Sequence, residues 1–381
     1  MWLDWLLLVA GMLLLIKGAD YFVDGSSKIA KVLKIPSLII GLTLVSMGTS
    51  APELSVSLLA ALENSSDLSF GNVVGSDIFN TFLILGIASI FIPLAINKDM
   101  KKYDIPIMVG LYVLMIIFAF VISPYKLDMV ESIIFIVLFV AYIALLIYRA
   151  KKGKVDEEES NEAPSTVKNL VLCIILAAAG ALAWVADFFE KPSLNYISCG
   201  VMAVFVVLML IKIKKPCSFK SNKVIILLNI LYAIAGLFAI VGGGTMVVGS
   251  AKNIAKALGM SEAIIGLTIV AVGTSLPELV TSVVASIKKE NDIAIGNVIG
   301  SNIFNILFIL GVSSSISNLK ISDTQAFGIS NSLIDLLVLL LSGIAVMLMS
   351  LFGKNIKKWQ GIIFIILYVA YVAYLIMREF A

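Results

Sequence analysis

Residues 41–86 read GLTLVSMGTSAPELSVSLLAALENSSDLSFGNVVGSDIFNTFLILG, and residues 266–311 read GLTIVAVGTSLPELVTSVVASIKKENDIAIGNVIGSNIFNILFILG. The two blocks align without a gap, and 24 of the 46 positions are identical. Glu53 and Glu278 are 225 residues apart, as are Gly86 and Gly311. The shared positions are polar as well as apolar, covering Gly-Thr-Ser-x-Pro-Glu-Leu and Gly-Asn-Val-x-Gly-Ser-x-Ile-Phe-Asn. Two lipid-facing helices alike by composition alone would share Leu and Ile, not Thr, Ser, Glu and Asn. The chain is a duplication, and any fold it adopts must accommodate two related halves.

The surroundings of these blocks are those of a membrane protein. Hydrophobic residues make up 60% of the 381-residue chain and charged residues 14%, with a mean hydropathy of +1.06. A soluble core of this size needs far more polar surface to cover it. Apolar stretches of about 20 residues recur along the chain, each long enough to cross a hydrocarbon core of about 30 Å. They predict twelve spans near 2–24, 35–61, 69–94, 104–123, 127–148, 167–188, 193–213, 224–249, 263–287, 293–316, 328–352 and 359–378. The first begins at Trp2 with no basic n-region or small-residue cleavage site, and reads as a retained span rather than a signal peptide. With the N-terminus placed outside, 21 basic residues fall on the inner side and 6 on the outer. That bias fits the positive-inside rule with both termini extracytoplasmic, in the cell membrane.

This pattern divides the chain into a first repeat, 1–148, a charged cytoplasmic linker, 149–166, an inserted helix pair, 167–213, and a second repeat, 224–381. The equivalent blocks open on the second and ninth spans. Seven spans lie between those openings, an odd number, so the copies have opposite orientation. The fold class expected is an all-α polytopic membrane protein with inverted five-plus-five transmembrane helix repeats and two extra helices inserted between them. Inverted repeats are an architecture of secondary transporters, whose binding sites lie near the midplane where the repeats meet.

Several function classes drop out on composition. The net charge of +3 and the lack of a basic stripe argue against nucleic acid. Histidine is absent, which removes the usual proton shuttle and the usual zinc ligand. Cys173, Cys199 and Cys217 have no metal-ligand spacing and read as small buried or interfacial residues. No cofactor and no protein partner are implied beyond membrane lipid.

The polar residues of the repeats point to cation binding. Glu53 and Glu278 lie well inside apolar spans, where a charge is costly unless it faces a partner or water. Each follows a proline, which removes a backbone donor and disrupts the preceding turn. The carbonyls of Ser46, Thr49, Ala271 and Thr274 are then candidates to turn toward an ion. Ser50 and Ser275 stand three residues before the glutamates, on the same face. Ser76 and Asn80 share one face of the following helix, as do Ser301 and Asn305. Two carboxylates with hydroxyl, amide and carbonyl oxygens make an all-oxygen environment suited to Ca²⁺, and their charges match one divalent ion. Gly71, Gly75, Gly296 and Gly300 form a GxxxG ridge that would let these helices approach the broken ones closely. Asp77 lies about 100° around the helix from Ser76 and is left out of the site, together with its equivalent Asn302. Lys17, Asp20 and Asp24 read as a helix-end charge cluster.

At these residues the chain resembles the cation/calcium exchanger superfamily, nearest to its prokaryotic sodium/calcium exchangers. Both blocks are similar to that family's alpha repeats, and Gly18–Gly25 (GADYFVDG) fits its first span. The resemblance implies an antiporter, not an enzyme, that exchanges Na⁺ for Ca²⁺ by alternating access. It implies that Glu53 and Glu278 bridge the ion, with the Thr49 and Thr274 carbonyls completing the Ca²⁺ site. Ser50, Ser76, Ser275, Ser301 and nearby backbone oxygens would form flanking Na⁺ sites. Two departures stand out: both Asn80 and Asn305 are amides where family members often carry one acid, and the inserted helix pair is extra. An H⁺-coupled or K⁺-dependent antiporter of the same fold is the alternative. A metal-dependent intramembrane hydrolase is the remote one, lacking HExxH or an Asp-rich motif.

Overall fold

The computed structural model describes residues 2–63, 65–152, 167–188, 194, 197–204, 222–258, 271–321, 325–326, 329–353 and 355–379. Most of the linker 149–166, most of the expected span 193–213 and the start of the expected span 263–287 lie outside the described residues.

Among the described residues eight helices are long and apolar enough to cross a membrane. A ninth candidate is the broken pair Ser37–Thr49 and Ala51–Leu62, bent by 49° at Ser50. The only strands described are two-residue pairs in the loops. The chain thus has the all-α, polytopic fold expected from the apolar periodicity. The first helix runs farther than its apolar stretch, Trp2–Leu33, and its counterpart in the second repeat is Asn222–Ala257. At about 1.5 Å per residue both exceed a 30 Å hydrocarbon core and must tilt or protrude.

The structure forms two compact units that do not follow the sequence repeats: Met1–Ile40 with Gly153–Ile293, and Gly41–Lys152 with Ala294–Ala381. Each unit takes segments from both copies.

In the first unit, the two overlong helices pack antiparallel along a seam of glycines seven residues apart. A Cβ on Gly18 would come within 2.8 Å of the Ile240 amide, and one on Gly243 within 2.7 Å of the Leu15 amide. A Cβ on Gly11, Gly25 or Gly236 would likewise meet the opposing backbone, at 3.0, 2.7 and 2.5 Å. Gly11 and Gly18 are equivalent to Gly236 and Gly243 at the repeat offset of 225, so the duplication extends to this seam. The inserted helix Val167–Phe188 joins the same bundle. Its Leu172, Leu176, Ala179 and Ala183 pack with Leu7, Leu14, Ala239 and Met246, and Ser198 donates to the Ala179 carbonyl at 2.7 Å. The charges read as a helix-end cluster are organised by Lys288, whose ammonium reaches Asp20 at 2.9 Å and Asp24 at 2.7 Å. Ser27 donates to Glu290 at 2.6 Å beside it.

In the second unit, elements of one copy pack on the last helix of the other. Gly86 lies against Gly361 and Ile365, and Gly311 against Phe135 and Ile136. Leu94 pairs with Ile356 in one loop ladder, and Leu127 with Leu319 in the other. The last helices start alike. The Glu131 carboxylate accepts the Asp128 amide at 3.0 Å, and the Gln360 side chain accepts the Lys357 amide at 2.7 Å. These are the reciprocal half of a capping box, which satisfies a donor left open at a helix start. Each last helix also carries an arginine locked to an aspartate on the preceding helix, fully buried at Asp104 and partly buried at Asp335. Arg149 binds Asp104 through both terminal nitrogens, at 2.7 and 3.1 Å, with Tyr142 at 3.3 Å. Arg378 binds Asp335 at 2.8 and 2.9 Å, with Tyr371 at 3.0 Å. This exchange of partners explains why the compact unit cuts across the duplication.

Candidate functional site

The site residues sit where the helices lose regular geometry. Pro52 and Pro277 each occupy the first turn of a new helix, Ala51–Leu62 and Leu276–Ile287. Without an amide hydrogen, proline cannot continue the preceding ladder, so it breaks the span and starts the next segment with its fixed φ. Ser50 at φ −81°, ψ 11° and Ser275 at φ −91°, ψ 6° form the two breaks in nearly the same conformation. Both glutamates therefore fall in the first turn of a helix, where the open N–H groups favour a negative charge. Each is fully buried.

The partner helices widen at the equivalent amides. Phe79–Ile84 and Asn305–Leu310 are π-helical turns that carry Asn80 and Asn305. Single π turns inside α-helices are frequent at functional sites because they re-aim side chains.

The second unit holds Ser46, Thr49, Ser50, Glu53, Ser76, Asn80, Ser301 and Asn305. Ser76 donates to the Glu53 carboxylate at 3.3 Å. Ser50 donates to Ser301 at 3.0 Å, and the Thr49 hydroxyl reaches the Asn297 side-chain oxygen at 3.0 Å. The Ser46 carbonyl receives the Ser50 amide at 3.0 Å and the Thr49 hydroxyl at 3.2 Å. It is bonded within the helix end and not freed by the proline, because the missing donor belongs to Pro52 and not to Ser50. Gly300 lies against Leu42 and Ser46, the close approach that the glycine ridge was expected to allow. At Gly71 and Gly75 an added Cβ meets no described atom within 4 Å. Leu267, the counterpart of Leu42, lies outside the described residues.

The first unit holds the other four: Ala271, Thr274, Ser275 and Glu278. Ser275 and Glu278 are fully buried, and Pro277 packs near Gly244. The side chains of Thr281 and Ser282 are buried on the same helix.

Several polar groups at the site were not singled out from the sequence. Asn72 donates to the Glu53 carbonyl at 3.2 Å and to Ser57 at 3.0 Å, fixing the start of the broken helix. Its repeat equivalent is Asn297. The signal was present, since both asparagines belong to the shared Gly-Asn-Val and stand four residues before Ser76 and Ser301. Asp77, left out of the site in the sequence reading, has a neighbour among the expected site residues. It is fully buried and accepts a hydrogen bond from Asn305 at 2.9 Å. Asn302 donates to Tyr112 at 2.9 Å and Thr81 at 2.8 Å, and accepts from Asn80 at 3.0 Å.

Chemically the environment is one of oxygens. Among the described residues no three His, Cys, Asp or Glu side chains cluster as a closed metal site. A few carboxylates among neutral hydroxyls and amides suit a hard cation that must also leave.

A multi-pass bundle with broken helices and buried carboxylates inside it defines a secondary transporter. The family model described as sodium/calcium exchanger protein matches residues 3–148 and 228–377, and the chain belongs to that family. Among curated relatives it is 34% identical over 372 residues to the sodium/calcium exchanger MaX1 of Methanosarcina acetivorans, covering 98% of each chain. It is 31% identical over 311 residues to the inner membrane protein YrbG of Escherichia coli, covering 82% of this chain and 79% of that one. Among solved structures it is similar to the sodium-calcium exchanger NCX_Mj soaked with Na⁺ and Ca²⁺, with a TM-score of 0.67 and 27% identity. That match covers 97% of this chain and 98% of the other. The protein is a membrane antiporter of cations including Ca²⁺, not an enzyme.

Proposed function

We propose that this chain exchanges Na⁺ for Ca²⁺ by alternating access, with Glu53 and Glu278 supplying the two carboxylates that bind Ca²⁺. One observation carries the reading: two fully buried glutamates occupy the same place after the same proline break in both copies. A buried charge at membrane depth is retained only where a partner or water compensates it, and a transported cation is such a partner. The Thr49 and Thr274 carbonyls complete the Ca²⁺ set in this reading. Ser50, Ser76, Ser275 and Ser301, with the Ala271 carbonyl, serve Na⁺, and Asn80 and Asn305 lend amide oxygens. The orientation of those amides supports the role. Each has its NH₂ in a hydrogen bond, and its Oδ1 is buried with no hydrogen-bond partner.

The coupling ion is argued from the relatives: MaX1 is named a sodium/calcium exchanger, and NCX_Mj was soaked with Na⁺ together with Ca²⁺ or Sr²⁺. We place the protein in the cell membrane with both termini extracytoplasmic. Residues 1–148 and 224–381 act as the inverted halves, joined by the linker 149–166 and the helix pair 167–213. Glu53→Gln and Glu278→Gln test the site. Each is expected to lower ⁴⁵Ca²⁺ exchange in proteoliposomes at least about 100-fold, the loss of one charged ligand at about 3 kcal/mol. Transport by either variant at the wild-type rate would sink the assignment.

A further inference from the structure

We propose that Asn72 and Asn297 are positioning residues, one from each copy, that hold the break at Ser50 from its two sides and so set the Ca²⁺ affinity of exchange. This deepens the exchanger reading and rests on it.

The break is Thr49-Ser50-Ala51-Pro52-Glu53, and its two flanks are held by different helices. After the proline, helix Ser66–Ile78 contributes two residues four apart, on one face. Asn72 donates to the Glu53 carbonyl at 3.2 Å, and Ser76 donates to the Glu53 carboxylate at 3.3 Å. Before the proline, helix Asn291–Phe304 contributes the equivalent two residues. Asn297 receives the Thr49 hydroxyl at 3.0 Å, and Ser301 receives the Ser50 hydroxyl at 3.0 Å. All of these residues belong to the second unit. Equivalent residues of the two copies thus act differently on one break. The first copy's pair grips Glu53, and the second copy's pair grips Thr49 and Ser50.

The serines meet groups assigned to ions, whereas the asparagines meet the remaining polar atom of the same two residues. Asn72 binds the main chain of Glu53 rather than its carboxylate, and Asn297 binds the side chain of Thr49 rather than its carbonyl. Such a grip fixes a ligand without competing for the ion. Proline makes the grip useful. Pro52 has no amide hydrogen to donate and the chain bends by 49° there, so the helix ladder alone does not set Thr49 against Glu53. Neither partner relies on its asparagine for a hydrogen bond. The Thr49 hydroxyl also has the Val45 and Ser46 carbonyls at 3.1 and 3.2 Å, and the Glu53 carbonyl lies within helix Ala51–Leu62. Removing an asparagine therefore loses geometry without orphaning a buried group. Asn72 also donates to Ser57 at 3.0 Å, one turn beyond Glu53, which fixes the angle of its amide. Preorganised ligands bind more tightly because less ordering is left to the binding step. Loss of the grip should appear in affinity before maximal rate.

The experiment reads Ca²⁺/Ca²⁺ exchange without Na⁺ in proteoliposomes, as half-saturating Ca²⁺ and maximal rate. In Asn72→Ala and in Asn297→Ala, half-saturating Ca²⁺ should rise about three- to tenfold, the effect of one hydrogen bond, with the maximal rate within about twofold of wild type. Thr49→Val removes only the hydroxyl and should match Asn297→Ala, and the double variant should be no worse than either single one. Wild-type half-saturation in the asparagine variants, the outcome for residues that only pack helices, overturns the proposal. So do effects of Thr49→Val and Asn297→Ala that multiply, since Asn297 would then act through another group. If Asn297→Ala does not fold, Thr49→Val carries the test, and wild-type half-saturation in it overturns the role of Asn297. Failure of the exchanger reading is seen separately, as wild-type protein that exchanges no Ca²⁺ or Glu53→Gln that exchanges it at the wild-type rate.

Discussion

Replacing Arg149 by Met should destabilise the protein severely, and replacing its partner as well should restore most of the loss. The guanidinium meets Asp104 through two hydrogen bonds, at 2.7 and 3.1 Å. Asp104 is fully buried, and the Arg149 side chain keeps only 7% of its surface exposed. Met preserves much of the aliphatic stem but leaves a buried carboxylate with only the 3.3 Å Tyr142 hydroxyl to answer it. An orphaned buried charge of this kind costs about 3–5 kcal/mol. The double variant Arg149→Met with Asp104→Leu removes the charge altogether, and such replacements are neutral or stabilising in many proteins. The Arg378–Asp335 pair repeats the geometry with side chains 21% and 16% exposed, so Arg378→Met should cost less. Thermal unfolding of purified protein in detergent provides the ranking. Arg149→Met should show the largest drop, on the order of 5–10 °C, Arg378→Met a smaller one, and the double variant the smallest. If the double variant is as unstable as Arg149→Met, desolvation of an unpaired charge is not the cause and the reasoning fails.

The glycine seam should tolerate no side chain: Gly18→Ala or Gly243→Ala brings a methyl within 2.8 or 2.7 Å of opposing backbone. A cost of about 1–3 kcal/mol follows from such overpacking, read as a lower unfolding midpoint. Gly110→Ala is the control, since an added Cβ there meets nothing within 4 Å, and removing a mid-helix glycine should raise the midpoint slightly. Lys288→Gln removes ion pairs whose side chains are 24% to 52% exposed, so its stability cost should stay below about 1 kcal/mol and vanish in high salt. Asn72→Ala releases the Glu53 carbonyl and Ser57 from their donor and should weaken Ca²⁺/Ca²⁺ exchange without lowering expression.

The sequence was most informative where a single residue carries the physics. Pro52 and Pro277 announced the breaks, Glu53 and Glu278 announced buried charge, and the shared block announced the duplication. Partner exchange in the second unit was not legible. Residues such as Gly86 and Gly361 make contact across 275 positions, and nothing local in either helix marks that meeting. The arginine–aspartate locks escaped for a related reason: Asp104, Arg149, Asp335 and Arg378 stand near the ends of apolar stretches, where isolated charges ordinarily contact headgroups and water. The glycine seam has a seven-residue period in plain view, but glycines are common in membrane helices and only the partner backbone shows what they permit.

The central claim, Na⁺-driven Ca²⁺ exchange, is tested most directly by ⁴⁵Ca²⁺ uptake into proteoliposomes under an imposed Na⁺ gradient and, separately, an imposed pH gradient. The account predicts uptake that requires internal Na⁺, is indifferent to the pH gradient, and disappears in Glu278→Gln. Uptake driven by the pH gradient alone would contradict it.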